Sequence, residues 1–163
     1  MAIRTIRLKD DEILRKKSKK VEVVDDKIRE ILNDMDETMH ASNGVGLAAV
    51  QVGILKRLVV IDVNYDGTPS LKLVNPVIIK AKGKEEFKEG CLSFPNKFAK
   101  VIRPNEVTVK ALDENGKEII VKGKELLAEA LGHEIDHLDG VLFVDRMEPG
   151  TLEYIDNDDV EEK

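Results

Sequence analysis

The 163-residue chain has one cysteine, Cys91, so no disulfide can form within it, which agrees with a reducing compartment. On composition alone Cys91 reads as a buried apolar residue, because free cysteine is among the most buried residue types. Long hydrophobic runs are also missing. The longest uncharged stretch, residues 39–55, is interrupted by His40, Ser42, Asn43, three glycines and Gln51, which excludes a bilayer span of about 20 apolar residues. The opening MAIRTIRLKDDEIL lacks the apolar core of a secretory signal, and a cytoplasmic protein is expected. There is no internal repeat, no low-complexity linker and no excess of positive charge. Residues 1–144 hold 24 acidic and 24 basic side chains, while residues 145–163 hold eight acids and two bases. The net charge of -6 is therefore a property of the last 19 residues. A neutral body argues against a broad basic face for DNA or RNA, which needs many phosphate-neutralising side chains on one surface.

With 42% hydrophobic and 36% charged residues, the chain has the composition of a folded soluble domain. Its length fits one domain, expected over residues 1–147, followed by an acidic, frayed tail over 148–163. Residues 25–42 place Ile28, Ile31, Leu32, Met35 and Met39 at amphipathic helical spacing, with Asp25 or Asp26 as cap and Asn43-Gly44 as stop. A shorter helix is expected over about residues 11–17. The basic run at 15–20 is flanked by acids and reads as a solvated face. The segments 57–63, 71–79, 84–89, 97–103, 106–113 and 117–123 are rich in Val and Ile or alternate apolar with polar, as strands do. Asn115-Gly116 between the last two predicts an antiparallel hairpin. After Gly123 the pattern turns helical, with Gly140 as its stop. The fold class predicted is α+β, antiparallel sheet packed around a central helix.

That helix carries His133-Glu134-Ile135-Asp136-His137. Four residues advance the side-chain direction by about 400°, so His133 and His137 point the same way, about 6 Å apart, and can share one ion. Glu134 lies about 100° round from His133, where a carboxylate takes a proton from water rather than binding the metal. The bland alternative is an exposed, solvated pair of histidines. A third ligand must come from elsewhere. The metzincin extension of this motif requires a histidine where Phe143 stands. A downstream glutamate of the thermolysin kind is left only Glu153, Glu161 and Glu162, in the acidic tail. His40 is placed at the end of the first helix, as a cap or flank rather than a ligand. Cys91, in the turn-like Glu89-Gly90-Cys91-Leu92-Ser93-Phe94-Pro95, is the best remaining donor. Two imidazoles and a thiolate leave a fourth position open, as in a catalytic site. The third motif, Gly44-Val45-Gly46-Leu47-Ala48-Ala49-Val50-Gln51, lacks the last glycine of a nucleotide loop and follows no strand. It reads either as a helix cap with a buried run or as backbone brought close to a ligand, and Gln51 either as a structural hydrogen-bonder or as a polar group aimed into a site.

Taken together, GVGLAAVQ, EGCLSFP and HEIDHLDG, in this order, resemble peptide deformylase, over about residues 14–147. The resemblance implies removal of the N-formyl group from the initiator methionine of nascent polypeptides, with release of formate. It implies a metal held by Cys91, His133 and His137: Fe(II) is expected, and Zn, Ni or Co can substitute. It assigns Glu134 as the base, with the Gln51 side-chain amide and the Leu92 backbone N–H as donors to the oxyanion. The peptide backbone is expected along Gly44, Val45 and Gly46 and the strand edge at Glu89 and Gly90, with Val45 and Leu92 helping to form an apolar pocket for methionine. Transient ribosome proximity follows from such a substrate; no membrane or direct DNA contact is expected. Val50, Lys20, Gly132 and Glu129 depart from the usual pattern and bear on pocket shape and substrate preference. Glu89 is expected to pair with Arg103 and fix the Cys91 turn, and Asp136 to anchor its helix or a ligand's outer ring nitrogen. Ordinary surface ion pairs are the alternative for both. Two rival functions stand beside this one: a small metallopeptidase, and a non-catalytic metal- or peptide-binding domain of the same fold.

Overall fold

The computed structural model describes residues 2–155. Eight strands form two antiparallel sheets. The larger has the order β1 (Gly46–Ala48), β2 (Leu58–Ile61), β3 (Leu71–Lys82), β6 (Glu106–Leu112), β7 (Glu118–Lys124), and the smaller the order β4 (Glu85–Cys91), β5 (Phe94–Arg103), β8 (Glu153–Tyr154). Helices α1 (Asp26–Ala41), α2 (Leu126–Leu138) and the single turn α3 (Phe143–Arg146) complete the described chain.

The first helix forms where its apolar spacing predicts, and Asp25 caps it by accepting from the Ile28 N–H at 3.0 Å. Its face of Ile28, Ile31, Leu32, Met35 and Met39 packs with Leu58, Val60 and Val74 of the large sheet. The opposite face, with Val59, Ile61, Leu73, Val107 and Val109, packs against Ala128, Leu131, Ile135 and Leu138 of α2. Strand β2 is thus covered on both sides, which explains its unbroken apolar run LVVI where a half-exposed strand would alternate. The hairpin expected at Asn115-Gly116 is present: β6 and β7 pair from Glu106↔Lys124 to Leu112↔Glu118, and Gly116 takes the positive φ the turn needs. Helix α2 stops at Gly140, whose φ of 74° suits glycine.

Two expectations are corrected and one open reading is narrowed. The helix expected over 11–17 is one 3-10 turn, Glu12–Arg15. Asp11 accepts from the Ile13 N–H, and the Lys16 N–H already closes the turn on the Ile13 carbonyl, so the chain leaves before an α-helix can propagate. The segment after Asn43 is more than a cap and a buried run, because Gly46–Ala48 pairs with β2 as strand β1. Of the expected tail, residues 148–155 are docked: the Glu148 N–H donates to the Lys100 carbonyl at 2.7 Å, and β8 pairs with β5. The acidic run 156–163 lies outside the described residues. No helix among the described residues is long and apolar enough to cross a membrane.

Candidate metal centre and active site

Two elements from different parts of the chain meet at the site. Strands β4 and β5 are joined by the two-residue turn Leu92-Ser93, across which Cys91 registers with Phe94, so the turn presents the half-buried Cys91 at the end of a strand. Helix α2, buried against the large sheet, presents His133, Glu134 and His137 from its inner face. The Cys91 Sγ lies 3.3 Å from His137 Nε2, and the two Nε2 atoms are 3.2 Å apart. One donor atom from each of Cys91, His133 and His137 falls within 4.8 Å of the others, a group able to hold one metal ion.

The environment of these atoms fits a cation. The His133 Nδ1–H donates to Glu89 Oε1 at 2.5 Å. An ionised carboxylate only accepts, so the ring's proton sits on Nδ1 and its Nε2 lone pair is turned to the cluster. Burial alone would lower the His133 pKa, yet Glu134, Cys91 and Glu89 raise it well above the usual imidazole range. The local field therefore favours positive charge at Nε2, and a divalent ion would take the place of a second proton there. Burial and the neighbouring His133 hold His137 well below that range, leaving it neutral and able to donate a lone pair.

Of the two roles open to Asp136 the structure takes the helix anchor, because the outer partner of His133 is Glu89. Arg103 Nε and Nη2 donate to the two Glu89 oxygens at 2.8 and 2.7 Å, and both side chains are buried. This is no surface ion pair. Burial pushes the Glu89 pKa up, but hydrogen bonds from Arg103 and His133 outweigh it and hold the carboxylate at about 2. Asp136 serves its helix instead, accepting from Arg103 Nη1 at 3.0 Å and from Arg146 Nε at 2.6 Å. Gly132 leaves room for this network, since a Cβ there would stand 3.3 Å from Arg103 Nη1.

Glu134 is buried beside the donors, with its Oε2 3.9 Å from His133 Nε2 and its Oε1 without a hydrogen-bond partner. Burial raises its pKa to about 7, with Glu89 and Asp136 adding to the shift, which suits proton exchange near neutrality. Gln51 comes from the 3-10 turn Ala49–Val52 that follows β1. Its Oε1 accepts from the Ala48 N–H at 2.9 Å, which turns its NH2 toward Ser93 Oγ at 3.0 Å and Cys91 Sγ at 3.5 Å. The amide is both structural and aimed at the site. Ser93, its partner, was not legible in the sequence, because nothing local to it signals a contact with residue 51. Leu92 lies in the turn itself. Gly46 passes close to the site: a Cβ there would come within 2.6 Å of Glu134 Oε2, and one on Gly44 within 2.6 Å of Leu92 Cδ1.

These groups open on a cavity of about 500 Å³, walled on one side by Gly44, Val45 and Gly46 and on the other by Glu89, Gly90, Phe98, Leu126, Glu129 and Ala130. The Glu89 side chain is committed to Arg103 and His133, so what that residue offers the cavity is strand edge. Glu129 is buried in the far wall, its pKa raised to about 8 by burial and by the Glu89 charge. His40 is outside the cluster; it contacts Asp36 and Asp62.

The sequence model of the polypeptide deformylase family matches residues 3–153. The chain is 54% identical over 163 residues to a peptide deformylase of Acetivibrio thermocellus, covering 100% of this chain and 92% of the relative. It is 58% identical over 146 residues to peptide deformylase 2 of Clostridium acetobutylicum, covering 89% and 95%. Among solved structures, a peptide deformylase from Legionella pneumophila superposes with a TM-score of 0.87 at 49% identity, covering 90% of this chain and 87% of that one. One from Synechococcus elongatus in complex with actinonin gives 0.87 at 43% identity, covering 90% and 81%. A family match across nearly the whole described chain, together with relatives of this identity, makes the assignment plain: the chain belongs to the peptide deformylase family.

Proposed function

We propose that Cys91, His133 and His137 together hold one divalent metal ion, and that with it the chain hydrolyses the formyl amide of N-formylmethionyl peptides and releases formate. The observation that carries this reading is the convergence of the three donor atoms beside a buried, partnerless Glu134 oxygen. When bound, the ion supplies Lewis acidity and lowers the pKa of a water to the neutral range. Fe(II) is the expected occupant, with Zn, Ni or Co able to replace it at a donor set of one thiolate and two imidazoles.

Glu134 takes the proton from the attacking water and passes it to the leaving amine; a carboxyl titrating near neutrality can do both. The Gln51 NH2 and the Leu92 backbone N–H donate to the oxygen that gains charge as the formyl carbon becomes tetrahedral. Because the Gln51 Oε1 is tied to the Ala48 N–H, the amide keeps this orientation without reorganising. The peptide runs as an added strand between Gly44–Gly46 and the Glu89–Gly90 edge, which reads main chain and suits an enzyme that meets many sequences. The methionine side chain enters the apolar part of the cavity, near Leu92, Phe98, Leu126 and Ala130. Such substrates place the enzyme in the cytoplasm and transiently near the ribosome, and residues 1–147 carry the catalytic machinery.

The metallopeptidase reading is not favoured, because Phe143, at the position where a third helix-linked histidine would stand, is buried in a cluster with Phe94 and Leu14. A direct test uses anaerobically purified protein. Metal analysis is expected to give about one ion per chain, with formate released from a formyl-Met peptide and no cleavage of the unformylated peptide. Glu134→Ala keeps the ion and loses activity, whereas Cys91→Ala loses tight binding. Cleavage of the unformylated peptide alone, or full metal affinity in the Cys91 variant, overturns the assignment.

A further inference from the structure

We propose that Tyr65, braced by His40 and Asp62, is a positioning residue that latches the Gly44–Gly46 segment against the body of the protein, and that the latch is complete only while His40 carries both ring protons. The inference rests on the reading that substrate main chain lies along this segment.

The segment leaves α1 at Ala41, turns through Asn43 at a φ of 56°, and enters β1 along the cavity wall. Two consecutive carbonyls are held by residues that do not line the cavity. The Val45 carbonyl accepts from the Asp62 N–H at 2.8 Å, and the Gly44 carbonyl accepts from the Tyr65 hydroxyl. Strand groups alternate in direction, so tying Val45 to Asp62, the residue after β2, turns the N–H and C=O of Gly46 to the opposite edge, toward the cavity that Gly46 lines. The geometry a peptide meets there is set by what grips residues 44 and 45.

Tyr65 reaches Gly44 only from an uncommon backbone conformation, φ 49°, which a bulky side chain keeps when its surroundings impose it. Asp62 imposes it: Oδ1 accepts from the Asn64 and Tyr65 N–H groups at 3.1 and 3.0 Å. The other oxygen, Oδ2, lies 2.8 Å from His40 Nε2, while His40 Nδ1 lies 3.0 Å from the Asp36 carbonyl. A carbonyl and a carboxylate only accept, so both contacts are hydrogen bonds only when both ring nitrogens carry protons. The His40 ring also packs edge-on against Tyr65, centroids 5.1 Å apart.

The titratable groups facing His40 are the Asp36 carboxylate from α1, the Asp62 carboxylate after β2 and the Tyr65 phenol from the following loop. The hydrogen bond to Asp62, then the charge of Asp36, raise the His40 pKa against its burial. The doubly protonated ring therefore persists to higher pH than that of a free histidine and is lost as pH rises further. Loss of either proton frees Asp62 or the end of α1 and loosens the hold on Gly44.

The test compares the metal-loaded full-length enzyme with Tyr65→Phe and His40→Phe on two substrates, a formyl-Met tripeptide and formyl-Met amide, which has no residue beyond methionine. Each variant is expected to raise the tripeptide KM about fivefold, the value of one net hydrogen bond, with kcat, the amide KM and the melting temperature near wild type. The ratio of His40→Phe to wild-type KM, in which shared catalytic titrations cancel, is expected to fall toward one as pH is raised past the ordinary imidazole range. Unchanged tripeptide KM in both variants, or a pH-independent ratio, overturns the latch alone. A wild-type KM indifferent to peptide length overturns the strand-docking reading and the latch with it.

Discussion

At residue scale, the site depends on single atoms kept out of the way. Gly46 has no side chain where a Cβ would come within 2.6 Å of Glu134 Oε2. Gly46→Ala is therefore expected to displace the base and lower kcat about 100-fold, as a shift of about 1 Å in a catalytic group does, with metal content unchanged. Wild-type kcat in a protein of normal metal content would refute this. Glu134, pushed up to about 7 by burial, sets a second expectation. The base works ionised, so kcat/KM falls as pH drops through an apparent pKa at or below about 7, because a nearby cation lowers it further. A profile flat from pH 5 to 7 would remove Glu134 from this role. Glu129 shows the opposite economy. Its pKa is raised to about 8 by burial and by the Glu89 charge, above the unfolded value, so its ionisation favours the unfolded chain. The stability it forfeits is absent below about pH 4.5 and grows as pH rises to about 8. Glu129→Gln is expected to raise the melting temperature more at pH 8 than at pH 5; an equal gain at both would show that titration is not the cause.

At the scale of elements, the critical join is between the β4–β5 hairpin and α2, which belong to different layers. Arg103 makes it, holding Glu89 of β4 and Asp136 of α2 in one buried network. Arg103→Met leaves the Glu89 carboxylate buried without its counter-ion and should destabilise the fold by about 3 kcal/mol, as breaking a buried pair from one side does. Adding Glu89→Gln should recover part of that loss, and only this double variant should bind the metal weakly, because there His133 loses its carboxylate partner. A single variant as stable as wild type in chemical denaturation would contradict this account. The sequence pointed to an Arg103–Glu89 pair but left it indistinguishable from a surface contact, because the partners lie 14 residues apart on neighbouring strands and only packing against α2 buries them. Which of its two open roles Asp136 takes was undecided for a related reason. A helical position one turn from His133 predicts proximity, while the His133 ring turns its Nδ1 to β4 instead.

At the scale of the whole molecule, an ion at the Cys91–His133–His137 cluster would tie the hairpin of the small sheet to a helix whose apolar face belongs to the large one. Removing it with a chelator is expected to lower the melting temperature, since a ligand bound only by the folded state stabilises by mass action, about 4 kcal/mol at a thousandfold excess over Kd. An unchanged melting temperature after verified metal loss would mean that the two layers hold without it. The sequence alone determined the α+β class, most of the strands, both long helices and the histidine pair, because these follow from period, turn chemistry and a four-residue spacing that act within one element. It also brought out Cys91, as the donor left once Phe143, the tail glutamates and His40 were set aside, whereas the choice between the two readings of Gln51 needed three separate motifs together. Strands β1 and β8, too short for any period to register, became visible only through their partners. Only the tertiary structure decided that Glu89 orients His133, that Ser93 receives Gln51, and that His40 pairs with Asp62. Each of these joins residues more than 20 positions apart in the chain, and a contact of that kind has no local propensity to announce it; it exists only once burial has fixed where the elements lie.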